Sequence, residues 1–104
     1  MASLQISGAL AESAGAAGPS ATGFNKNLRF KGARLDSEAG DGLLIVYKGE
    51  DATGPVLCRL RTSDEKQSDE FLLPGDDAVV CPLGVFYAST NSGGTSVHTL
   101  YRVA

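Results

Sequence analysis

The chain has 104 residues, of which 42% are hydrophobic and 20% charged, with a net charge of −3. That is one domain's length with enough apolar residues for a single core, which excludes a wholly disordered chain. The nine Lys and Arg residues are scattered rather than striped, and no stretch approaches the roughly 20 apolar residues that span a bilayer, so neither a nucleic-acid nor a membrane partner is expected.

The 13 glycines lower helix propensity and supply turns, so the composition leans to β. The opening stretch MASLQISGALAESAG has no basic segment followed by a sustained apolar run. It does not read as a secretory signal, and synthesis and folding in a cytoplasm are expected. Residues 3–10 alternate Leu4, Ile6, Gly8 and Leu10 on one side and predict a first strand. Residues 11–23 (AESAGAAGPSATG) are small, and Gly15, Gly18 and Pro19 break any helix there. A flexible arm or long loop over 11–24 is the expectation, within one β domain spanning 1–104.

Residues 27–35 put Leu28 and Phe30 on one face and Arg29 and Lys31 on the other, with Gly32 as a candidate bulge. Residues 36–41 (DSEAGD) form a turn. Residues 43–47 are an unbroken apolar run and predict a central strand covered on both faces. After the connection 48–55, Val56, Cys58 and Leu60 alternate with outward Arg59 and Arg61. A charged loop over 63–69 leads to a short strand over 70–73, closed by the turn Pro74-Gly75-Asp76-Asp77. Pro82 cannot donate to a ladder, so the strand over 79–83 lies at an edge or bends at Pro82-Leu83-Gly84, and 85–89 continues it. The segment 91–95 (NSGGT) is the strongest hairpin signal. In the last strand Val97, Thr99, Tyr101 and Val103 oppose His98, Leu100 and Arg102. About eight strands with turns at roughly ten-residue spacing predict an all-β, antiparallel, jelly-roll-like sandwich.

Residues suited to chemistry are few. His98 is the one histidine; it shares a strand face with Ser96, but a catalytic triad needs a third group and none is evident. Cys58 and Cys81 fall in strand patterns and read as buried, reduced thiols that could pair only if their strands are neighbours. Two cysteines and one histidine at this spacing give no zinc site. The acidic pairs Glu50-Asp51, Asp64-Glu65, Asp69-Glu70 and Asp76-Asp77 lack the register of a calcium loop and read as solvated turn charge. No catalytic residue, metal site or cofactor is expected, and an enzyme is the weakest functional class.

Within 43–104, an apolar strand leads to Tyr47-x-Gly49 and Ala52-Thr53-Gly54, then Pro74-Gly75, Gly84-Val85-x-Tyr87 and a final strand carrying Tyr101. This pattern, over about 60% of the chain, resembles a class of small tailed-phage virion proteins; Cys81 and Pro82 are not part of it. The resemblance implies a non-enzymatic structural role in a virus particle. It points to a capsid decoration or cement protein that meets the major capsid protein or other virion proteins, itself a homo-oligomer and typically a trimer. The arm would then contribute Ala11, Glu12, Gly15, Gly18, Pro19 and Phe24 to the partner contact, gaining order on binding. A tail or neck adaptor, or a fibre-associated protein, is the alternative. A carbohydrate-binding module is a weaker one, since the chain has no Trp and Tyr47, Tyr87 and Tyr101 sit in strand patterns.

Overall fold

Strand-forming residues dominate the chain, and the computed structural model, which describes residues 3–7, 14–17, 28–49, 51–75, 77–94 and 96–103, has no helix among them. The strands are β1 (Ser3–Ser7), β2 (Ala14–Ala17), β3 (Leu28–Ser37), β4 (Asp41–Lys48), β5 (Val56–Thr62), β6 (Ser68–Leu72), β7 (Val79–Cys81), β8 (Val85–Ser92) and β9 (Ser96–Val103). Within the stretch read as an arm, residues 14–17 form β2, with Gly15 opposite Tyr87 of β8. Ala11, Glu12, Gly18, Pro19 and Phe24 lie outside the described residues.

Two antiparallel sheets result. A five-stranded sheet has the order β1-β9-β3-β6, with β7 also on β3, and a four-stranded sheet has the order β2-β8-β4-β5. β6 and β7 pair with different stretches of β3, Gly32–Asp36 and Leu28–Phe30, so they are two halves of one edge strand. With those halves counted as one, each step along the chain crosses to the other sheet except β4 to β5. That alternation is the strand order of a jelly roll.

The crossings correct three sequence expectations. The 91–95 turn is no hairpin: β8 pairs with β4 and β9 pairs with β3, so it bridges the sheets. β8 does not continue β7; the chain turns over at Pro82-Leu83, with the Gly84 N–H donating to the Cys81 carbonyl at 3.0 Å, and enters the other sheet. β4 is central, yet only Gly42, Leu44 and Val46 are fully covered, while Leu43, Ile45 and Tyr47 are half-buried on the outer face.

Two irregularities decide which side chains enter the core. Opposite β9, Phe30 pairs with Arg102 but Gly32 pairs with Tyr101, so Lys31 is an extra residue at a bulge. The bulge lies beside Gly32, as expected, but it reverses the alternation: Phe30, Ala33 and Leu35 all point inward. Lys31, expected on the face opposite Phe30 together with exposed Arg29, is buried. In the second case Val46 pairs with Cys58 and Tyr47 with Val56, leaving Leu57 extra. Cys58 and Leu60 face inward as expected, but Val56 is turned out and 49% exposed.

The core between the sheets joins Phe30, Ala33 and Leu35 of β3, Leu44 and Val46 of β4, Cys58 and Leu60 of β5, Cys81, Val85 and Leu100. Leu57, Phe71, Val79 and Tyr87 pack against it half-buried. Each fully buried large side chain contributes about 1.5–3 kcal/mol of transfer free energy, before the entropy of ordering is subtracted.

Candidate functional site

At the end of the sandwich where β3 turns into β4, the core gives way to hydroxyls. The Ser37 hydroxyl of β3 is hydrogen-bonded to the Thr62 hydroxyl of β5 at 2.5 Å and to the Ser96 hydroxyl of β9 at 2.7 Å. The Asn91 amide of β8 donates to Ser96 Oγ at 2.6 Å and to the Ala39 carbonyl at 3.0 Å. Gly42 N–H donates to Thr62 Oγ1 at 3.2 Å. All four side chains are buried, so the cluster ties the two sheets together in a medium where satisfied hydrogen bonds are strong and lost ones costly. A Cβ at Gly42 would strike the Thr62 hydroxyl and come within 2.7 Å of Ser96 Oγ and 2.8 Å of Ser37 Oγ. Only glycine leaves the hydroxyls room to meet.

Ser96 and His98 do share the inward face of β9, and both are 1% exposed. Ser96 is committed to Ser37 and Asn91, and the imidazole of His98 packs against the Tyr87 ring at 4.6 Å between centroids. The pair therefore belongs to the packed interior rather than to an open cleft. Cys58 and Cys81 are both buried free thiols. Burial, aided by the Asp69 carboxylate, pushes the Cys58 thiol up to about 12. Burial also raises that of Cys81, against a smaller lowering by Lys48. Neutral buried thiols are poor nucleophiles.

Of the five exposed large hydrophobic side chains among the described residues, Val97 lies on β9 and the other four gather on one margin, where the edge strand β5 of one sheet lies beside β6 of the other. Asp69 of β6 caps this margin: its carboxylate accepts the Arg61 N–H at 3.1 Å and the Lys66 amine at 3.1 Å. Burial alone would raise the Asp69 carboxyl, but those donors and the Glu70 N–H outweigh it and hold it below the usual carboxylate range. Lys31 fixes the turn between β6 and β7, its amine donating to the Gly75 carbonyl at 2.5 Å and the Asp77 carbonyl at 3.1 Å. Along this margin stand Val56, Leu72 and Val80, each 49% exposed, and Leu83, 60% exposed on the turn after β7. Leu83 also lines a groove of about 300 Å³ with Lys48, Gly49, Pro55 and Pro82. Arg59 and Arg61 project from the outer face of β5, and neither guanidinium has an ion-pair partner among the described residues.

The three tyrosines lie in strands and are half-buried. Tyr47 packs against Phe86 with ring centroids 6.1 Å apart, and Tyr87 lies against the core. The acidic pairs do more than meet water. Asp51 accepts both the backbone N–H and the hydroxyl of Thr53, and Asp64 accepts the Gly40 N–H at 2.9 Å. Glu50 and Asp76 lie outside the described residues. Among the described residues no three His, Cys, Asp or Glu side chains come together as metal ligands. Sequence reasoning missed the margin because an exposed valine or leucine in a strand pattern is indistinguishable from a core one until the sheets are assembled. The one available signal was Pro82, which marked β7 as an edge.

No protein-family model, curated protein or solved structure matches the chain.

Proposed function

We propose that this chain is a non-enzymatic virion structural protein that decorates and cements a phage capsid lattice, with the major capsid protein as its partner and the virion as its location. The observation that carries the reading is the outward margin: Val56, Leu72, Val80 and Leu83 stand exposed beside Arg59 and Arg61, whose guanidinium groups have no ion-pair partner among the described residues. An exposed apolar strip rimmed by charge is what a protein contact requires. The jelly-roll sandwich supplies the rigidity to hold it. The turn residues that carry the likeness to phage virion proteins also fit their places. Gly49, Gly75 and Gly84 all adopt positive φ, at 117°, 55° and 85°, which side chains with a Cβ seldom do. Fold alone does not assign function, so the reading rests on surface and pattern together.

The test is the copy number of this protein in purified particles, measured by quantitative mass spectrometry. Hundreds of copies per particle support a capsid role. A dozen or fewer place the protein on the tail or neck, and absence from particles overturns the virion reading.

A further inference from the structure

We infer that the β5/β6–β7 margin is a two-fold contact between copies of this chain, in which β5 of one copy lies antiparallel to β6 and β7 of the other. The inference concerns the same margin as the capsid reading but gives it a different occupant, a second copy of this chain, and it follows from how the two sheets end.

On the outer face of β5, Val56, Arg59 and Arg61 run from the Leu83 end of the sandwich toward the hydroxyl cluster. On the outer face of the facing margin the same direction meets Val80 of β7, then Leu72 and Glu70 of β6. The levels match because Arg61 is tied to Asp69, the neighbour of Glu70. One edge therefore reads apolar then cationic, and the other reads apolar then anionic. Among the described residues the Glu70 carboxylate has one ion pair, a 3.5 Å contact with Arg34.

A two-fold axis along the strands brings these edges together without any change of shape. It exchanges the sheets, so the four-stranded sheet of one copy abuts the five-stranded sheet of the next. Val56 then faces the second copy's Val80, and Arg61 faces its Glu70. The chain direction is also right. β3 runs toward the cluster, β4 away from it, β5 toward it and β6 away. Rotation about the strand axis preserves those senses, so the abutting edges are antiparallel, the arrangement in which cross-strand apolar and opposite-charge pairs stabilise a sheet. Because the contact is isologous, each pair forms twice. Within one chain the Arg61 N–H of this edge is capped by the Asp69 carboxylate, and sheet edges left exposed are otherwise a hazard that folded proteins cover.

Sedimentation equilibrium and light scattering on the full chain test this. The expected result is a monomer–dimer equilibrium. Arg61→Glu and Glu70→Arg should each weaken it by about tenfold or more, while thermal melts of both variants stay close to the parent. Mixing the two variants should restore pairing, because each then meets an opposite charge across the contact, which an interaction within one chain cannot produce. Val80→Lys gives an independent apolar readout and should also abolish the dimer. A protein that stays monomeric up to roughly 1 mM overturns the inference. So does a dimer indifferent to all three substitutions, or a closed trimer.

Discussion

Asp69 and Arg61 bind the two sheets at their shared margin: a carboxylate on β6 accepts the backbone N–H of β5 at 3.1 Å. A side chain of one edge strand thereby satisfies a main-chain donor of another, and its negative charge is held by that donor and by Lys66.

The depressed Asp69 carboxyl makes stability depend on acid. A carboxyl whose folded value lies below its unfolded one, about 3.9, contributes stability above that value and loses it as pH falls through the folded value. Asp69→Asn should cost about 1 kcal/mol at neutral pH and flatten the acid limb of the stability profile. Urea melts between neutral pH and the acid range check both; an unchanged acid limb would contradict the assignment.

Gly42 has no room to grow. Gly42→Ala should destabilise by about 1–3 kcal/mol, because the added methyl enters the space where Thr62, Ser96 and Ser37 meet. Asn91→Ala should cost a similar amount by leaving buried oxygens without their donor. The two losses should be markedly non-additive, since both disrupt one network, and a double-mutant cycle in urea measures this.

Lys31→Met keeps the stem of the side chain and removes its charge. The Gly75 and Asp77 carbonyls then lose their shared donor. The expected loss is about 1–3 kcal/mol, with faster proteolysis confined to the turn between β6 and β7. Cleavage distributed evenly along the chain would argue against this role for Lys31.

Cys58 and Cys81 should resist a thiol reagent at pH 8 in the folded protein and react together, two per chain, in denaturant. The raised Cys58 thiol also sets an alkaline limit. A group whose folded value is lifted to about 12 contributes stability that is whole below its unfolded value, near 8.5, and lost as pH rises through the folded one. Cys58→Ala should make the alkaline melting profile shallower.

Turn chemistry and apolar rhythm were legible along the chain. The Pro82 interruption and the Gly32 bulge each mark a true feature, and the short β-branched runs are strands. Those are properties of φ, ψ and sterics within a few residues, which sequence determines directly. Only the assembled sheets decided where each strand goes next and which side of it is wet. A glycine turn permits the chain to reverse, but pairing of β9 with β3 rather than β8 depends on contacts between residues some 60 positions apart, such as Ser37 and Ser96. Likewise, one extra residue at Lys31 or Leu57 reverses the alternation, because inward and outward positions differ by a single step along the backbone. That is why strict alternation puts Lys31 on the face of Arg29, opposite Phe30, and Val56 inside, and why the margin is visible only when both sheets are in place.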